Sequence, residues 1–195
     1  MSRLATALQQ SKRLRVIGFD DAPFDKGTQE PVHVSGVVCS NTRFEGMLWF
    51  EVERDGLDAT DSLIAAVKDS KFYSQAHVLI TDGLAFGGFN LLNLRVLFEQ
   101  LDRPVFAVMR KPPDLQAIHR ALKHLSEPEG RKQLIELAGP IHQLDSFVFQ
   151  AVGCQPEIAL EVLKRITDTG LVPEPLRLAH LIGSAVKLGQ SGRRA

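Results

Sequence analysis

"RVIGFDDAPF", Arg15 to Phe24, is the stretch on which the fold of this chain turns. Val16, Ile17 and Phe19 form a short apolar run of the kind that fills an interior strand, and Pro23 stops it. The run ends in two adjacent carboxylates, Asp20 and Asp21. A buried strand that ends in acids predicts a sheet with a polar site at its strand ends.

Working outward, "VHVSGVVC" (Val32 to Cys39) reads as a second strand because it is rich in β-branched residues. From Phe44 the pattern alternates. Phe44, Gly46, Leu48, Phe50 and Val52 fall on one face, and Glu45, Glu51 and Glu53 on the other, as in a half-covered strand. Ser40, Asn41 and Thr42 form the tight turn of a hairpin between them. The period then changes. "TDSLIAAVKDS" spaces Leu63, Ile64 and Val67 as a helix does, with Asp58 or Thr60 as its cap. "AHVLIT" (Ala76 to Thr81) is a strand, followed by the glycine-rich turn "DGLAFGGFN" and a helix over Leu91 to Gln100. Val105 to Val108 is another short strand. Helices follow from Asp114 and from a cap at Ser126 to Gly139. "FVFQAV" is a last strand, and helices after Pro156 and after "PEP" (Pro173 to Pro175) close the chain. A leading hairpin followed by alternating strands and helices predicts an α/β domain, one mixed β-sheet flanked by helices.

The chain has 195 residues, 44% hydrophobic and 24% charged, which suits a single domain over 15–195 behind a short leader, 1–14. Lys and Arg balance Asp and Glu at 23 each, so no global field draws the chain to nucleic acid or to an anionic membrane. Any polyanion affinity is local. Cys39 and Cys154 stand far apart without a CxxC neighbour, which argues against a disulfide framework and a thiolate zinc site. No apolar run reaches membrane-spanning length and "MSRLATALQQ" lacks the apolar centre of a secretory signal, so a cytoplasmic protein is expected.

Parallel strands joined by a crossover bring their carboxyl ends to one edge of a sheet, where ligands bind. Asp20 and Asp82 end two such strands, and Asp58 precedes the helix between them. Three acids converging there make a hard-oxygen site suited to Mg²⁺ or Mn²⁺. Taken singly, each would be a turn or cap residue. Arg110 and Lys111, just beyond the Val105 strand, fall on the same edge and could hold phosphates. The "GGFN" turn either offers backbone N–H groups to an anion or is a plain turn in which Asn90 caps the next helix. Phe86 and Phe89 either stack on a displaced base or pack down on a neighbouring helix. His180 lies off the apolar stripe Leu178, Leu181, Ile182 and Ala185, so it is not a core histidine. His77, His119, His124 and His142 lack metal-ligand spacing. "GRRA" (Gly192 to Ala195) adds a basic tail.

"IGFDDAPF", "DGLDAT", "DGLAFGGFNLLNL", "VFAVMRKPPD" and "VPEPLRLAHLIG" together resemble the endonuclease dU family, which is distantly similar to endonuclease V. The resemblance covers the chain from Arg15 onward. It implies a ribonuclease-H-like fold and metal-dependent cutting of nucleic acid beside a deaminated base, with DNA favoured over RNA and deoxyuridine as the lesion, hence a role in DNA repair. By position it implies Asp20 and Asp82 as metal ligands and His180 as the histidine that approaches the site. It favours Asp58, in the string "DGLDAT", as the middle acid over Asp61, and leaves Asp21 and Asp61 as additional candidates. Arg110, Lys111, Phe89 and Asn90 become candidates for substrate contact. The chain departs from endonuclease V at "NTRFEGMLWF" and "LAFGGFN", so that enzyme's inosine preference does not carry over. A noncatalytic nucleic-acid-binding protein and a nucleotide-binding phosphohydrolase are the alternatives.

Overall fold

A computed structural model describes residues 3–192. The apolar runs assemble into strands β1 (Arg15–Asp21), β2 (Val32–Ser40) and β3 (Arg43–Val52), an antiparallel meander, and then β4 (Val78–Asp82) and β7 (Val105–Met109), which lie parallel to β1. Strands β8 (His142–Leu144) and β9 (Phe147–Val152) add an antiparallel edge. The result is a seven-stranded mixed sheet in the order β3-β2-β1-β4-β7-β9-β8. A separate ribbon, β5 (Ala85–Phe86) with β6 (Asn90–Leu91), is made by the glycine-rich turn.

Because side chains alternate along a strand, the sheet has two cores. Ile17 and Phe19 of β1 and Leu79 of β4 pack with Leu63 and Val67 of α2 (Ala59–Lys68) and Leu97 and Leu101 of α3 (Leu94–Leu101). Val16, Val78, Ile80, Phe106 and Phe149 face the other way. They meet α1 (Arg3–Gln9), α6 (Pro156–Arg165) and α7 (Glu174–Leu188) through Leu4, Val162 and Leu176. Helices α4 (Leu115–Leu122) and α5 (Pro128–Leu137) form a hairpin beside the ribbon. The α/β layers expected from the pattern are therefore present.

Several local expectations change. Phe44 is 48% exposed rather than on the covered face, because the β2–β3 register shifts between Val38 and Cys39 and turns the strand over at Glu45. Helix α3 begins after Asn93, whose side chain accepts from the Val96 amide, so Asn90 is not its cap. Glu127 rather than Ser126 stands at the N-cap position of α5, without a side-chain capping bond, and β8 is a strand that the sequence pattern does not mark. Helix α7 does not bury the stripe Leu178 to Ala185: its buried face is Leu176, Ala179, Gly183 and Ser184, and Ala185 is exposed. Small residues win that face because the helix runs close against the sheet. A Cβ on Gly18 would lie 2.6 Å from Pro175 Cβ, and one on Gly183 would lie 3.1 Å from Ala22 Cα. The segment set apart as a leader contributes α1, with Leu4, Ala7 and Leu14 buried in the second core. Of the basic tail, Arg193 and Arg194 lie outside the described residues. No helix among the described residues is long and apolar enough to cross a membrane.

Candidate active site

Strands β1 and β4 pair in parallel with Phe19 opposite Thr81, so the next residues, Asp20 and Asp82, end adjacent strands side by side. Both share the face covered by α7. The close passage of α7 over Gly18 delivers His180 one turn later, and its Nδ1 lies 3.0 Å from Asp20 Oδ2. Arg110, just past the end of β7, joins them. Asp20, Asp21, Asp82, Arg110, His180 and Lys26 line one open cleft of about 370 Å³. Lys26, in the β1–β2 connection, carries no sequence signal beyond being a lysine near Pro23.

The electrostatics follow from burial. Asp20 is only 5% exposed. Burial first, then the charges of Asp82 and Asp21, push its carboxyl up to about 8, against the lowering pull of the Asp21 amide and Arg110. Burial also raises Asp82, against Arg110 and His180, and raises Asp21, against a hydrogen bond from the Gly87 amide. Burial is the leading cause for all three carboxyls, so a free carboxylate charge here is disfavoured chiefly by loss of water.

The other candidates are placed differently. Asp21 points to the opposite face from Asp20, and its Oδ2 accepts from Gly87 N at 2.7 Å. Asp58 does not join the carboxylate pair: it accepts from Glu53 N at 3.1 Å, Asn90 Nδ2 at 2.6 Å and Ser62 Oγ at 3.3 Å, as a linchpin of the turn before α2. Asp61 is exposed in the first turn of that helix. Among the described residues no three His, Cys, Asp or Glu side chains stand at metal-ligand spacing, so the predicted convergence of three acids becomes a pair, Asp20 with Asp82. Lys111 is exposed and does not line the cleft.

The glycine turn is not an open anion hole. Its Gly87 amide is taken by Asp21 and its Phe89 amide by Asp55 Oδ1, at 2.9 Å. Asn90 is fully buried, accepting from Ala59 N and donating to Glu53 O and Asp58, so it cannot touch a substrate. Phe86 is buried in the first core and is unavailable for stacking, whereas Phe89 is half-buried. Phe89 lines a second, largely apolar cavity of about 460 Å³ together with Gly83, Met109, Ile118 and Gln150. Gly83 follows Asp82 and Met109 precedes Arg110, so this cavity lies beside the acidic cleft. His77 accepts from Arg15 N and His142 stacks on Phe149, which gives both structural roles. Cys39 and Cys154 are free thiols, each pushed up to about 12 by burial.

One residue that the sequence did not single out organises this end of the molecule. Arg131, 1% exposed, donates Nε to Ser126 O at 2.8 Å, Nη2 to Asp55 O at 2.6 Å, and Nη1 to Gly56 O at 3.1 Å and to Phe89 O. It thereby ties the β3–α2 loop, the glycine ribbon and the start of α5 together. Nothing in "PEGRKQ" distinguishes it from the exposed lysine or arginine of an ordinary helix.

A family model described as endonuclease dU matches residues 12–187. The UPF0215 protein of Methanothermobacter thermautotrophicus is 40% identical over 188 residues, spanning 94% of this chain and 92% of its own. That of Archaeoglobus fulgidus is 36% identical over 184 residues, spanning 94% and 99%. Among solved structures, a crystal structure of a protein from Archaeoglobus fulgidus superposes with a TM-score of 0.85 at 36% identity, covering 89% of this chain and 98% of that one. Ciona intestinalis endonuclease V, in complex with a 24mer DNA containing an inosine followed by a ribo-adenosine, gives 0.56 at 18% identity, covering 92% and 87%. Bacillus subtilis endonuclease V gives 0.58 at 10% identity, covering 94% and 89%. The architecture built around Asp20 and Asp82 is thus that of the endonuclease V fold. With the family model spanning nearly all of it, the chain belongs to the endonuclease dU family.

Proposed function

We propose that the chain is a divalent-metal-dependent endonuclease that hydrolyses a phosphodiester in nucleic acid beside a deaminated base, with deoxyuridine in DNA as the substrate. The observation that carries this reading is the juxtaposition of two buried carboxylates, Asp20 and Asp82, on adjacent parallel strands, with His180 bonded to one and Arg110 beside both. Family membership and fold support a nuclease.

The donor set fits a hard dication. Asp20 and Asp82 both hold protons more tightly than ordinary carboxylates because burial disfavours their charged forms, and Mg²⁺ or Mn²⁺ would offset that. When bound, such an ion supplies Lewis-acid polarisation of the phosphate and acidifies water. The two aspartates would hold it. His180 orients the Asp20 carboxylate and stands where a proton can be passed at the edge of the cleft. Arg110 offsets charge on the phosphate. The apolar cavity beside Asp82 has room for one base displaced from the stack, with Phe89 on its wall.

The test is cleavage of a duplex carrying one deoxyuridine with Mn²⁺ or Mg²⁺, run against undamaged, inosine-containing and RNA substrates. Cutting confined to the deoxyuridine strand supports the reading. Metal-independent binding without cleavage of any of them would replace it with a noncatalytic nucleic-acid-binding protein.

Two expectations follow from the charge distribution. Asp20, Asp21 and Asp82 all have folded-state values above the ordinary 3.8, Asp20 at about 8, so above about pH 4 these three carboxyls hold more protons in the folded chain than in the unfolded one. Their contribution to stability is complete below the unfolded value and is lost as pH rises through the folded ones. The melting temperature of metal-free protein should therefore fall more steeply with pH than that of Asp20→Asn, and saturating Mn²⁺ should remove most of the difference. A metal-insensitive difference would count against the cation site. With no net charge, phosphate affinity must come from local cations. Arg110→Ala should lower the slope of log affinity against log salt by about one, measured by anisotropy on a labelled duplex. Lys111→Ala should change it less.

A further inference from the structure

Ser35 stands directly opposite Asp20 in the β1–β2 register and opposite Trp49 in the β2–β3 register. Cross-strand partners share a face, so its side chain lies on the α7 side of the sheet with the Asp20 carboxylate. The following positions of β2 on that face, Val37 and Cys39, are packed apolarly against Ala179. Ser35 is 0% exposed, and its Oγ has no hydrogen-bond partner. A buried hydroxyl with no partner is destabilising, and alanine or valine would suit this face better. The exception falls at the one β2 position that abuts Asp20.

We propose that Ser35 is a positioning residue for Asp20: its hydroxyl donates to the ionised carboxylate and fixes its orientation toward a cation in the cleft. The inference rests on the reading of Asp20 and Asp82 as cation ligands. Asp20 Oδ2 is already engaged by His180 Nδ1, so a second donor from the strand side leaves the carboxylate one setting rather than two. The distance suits the task. Directly opposed Cβ atoms lie about 4.5–5.5 Å apart, which a rotation about the serine χ1 can span. Among the described residues the other buried side-chain polar atom without a partner, His33 Nδ1, lies two residues earlier on the same face. That ring is fixed elsewhere, with Nε2 2.9 Å from Glu51 and its plane on Trp49 at a centroid distance of 5.3 Å. It cannot turn to serve Asp20.

The experiment is Mn²⁺ titration by calorimetry of the full chain, with thermal melting alongside. Ser35→Ala should weaken Mn²⁺ about tenfold, the scale expected when an outer partner of a ligand is lost. Its melting temperature should hold or rise, because an unpartnered hydroxyl has been removed. Ser35→Thr should restore most of the affinity. Ser40→Ala, which removes a buried hydroxyl from the far end of β2, opposite Arg15, should leave Mn²⁺ binding within about twofold. Unchanged Mn²⁺ affinity in Ser35→Ala would overturn the role of Ser35 alone. No Mn²⁺ binding by the wild type would overturn the cation reading and this inference with it.

Discussion

Asp82→Asn is expected to lower cleavage by about a thousandfold or more and abolish Mn²⁺ binding, while the metal-free protein melts a few degrees higher. Asparagine keeps the shape of aspartate and much of its hydrogen bonding. What it removes is a full negative charge from a cleft where the charge of Asp82 raises the proton affinity of both Asp20 and Asp21. Without metal that charge is a burden, so its loss relieves repulsion; on the proposed reading it would be half of the ligand pair. Activity and stability should therefore move in opposite directions. A turn or cap role for Asp82 predicts neither effect, because asparagine serves such positions nearly as well. Mn²⁺-dependent cleavage of a deoxyuridine duplex, calorimetric titration and thermal melting on the same preparations decide between them. Retained Mn²⁺ binding by the mutant would refute the assignment.

Arg131→Met should be the most damaging single change outside the cleft, costing about 3–5 kcal/mol and lowering the melting temperature by roughly 10 °C. The methionine fills much of the volume but supplies no donors, leaving the carbonyls of Ser126, Asp55, Gly56 and Phe89 unpaired inside the protein. Three chain segments would lose their common anchor at once. Arg131→Lys should rescue little, since one ammonium cannot reproduce a planar fork whose nitrogens bond in separate directions. Urea unfolding of both variants gives the size directly. A loss below about 1 kcal/mol would mean that water replaces the guanidinium without difficulty and that the clasp is incidental.

The parts of the site legible in the sequence were those that a strand delivers by itself. Asp20 and Asp82 follow unbroken apolar runs, so their position at strand ends needs only the two-residue period and a right-handed crossover. The illegible parts depend on contacts between distant segments. Asp58 looks like a ligand until Asn90, 32 residues on, is seen to claim its carboxylate. Gly87 and Phe89 look like anion-binding amides until Asp21 and Asp55 are found on them. The buried face of α7 departs from the apolar stripe because burial there is set by how closely the helix can approach Gly18 and Ala22, which favours small residues over the larger Leu178 and Ile182. Phe44 was misread because a bulge is a property of two strands and leaves no mark in one.

Asp20 and Asp21 are chemically identical neighbours with unrelated partners, His180 on one side of the sheet and the Gly87 amide on the other. Only the parity of their positions in β1 tells them apart. That makes the strand a ruler with a one-residue tolerance of zero. Substitutions along it can be absorbed by repacking, but inserting or deleting one residue between Arg15 and Asp20 would exchange the two carboxylates and turn Phe19 from one core to the other. Descendants of this chain can accordingly vary the composition of β1 while its length stays frozen, with tolerated insertions expected instead in the exposed connection around Asp25 to Gly27.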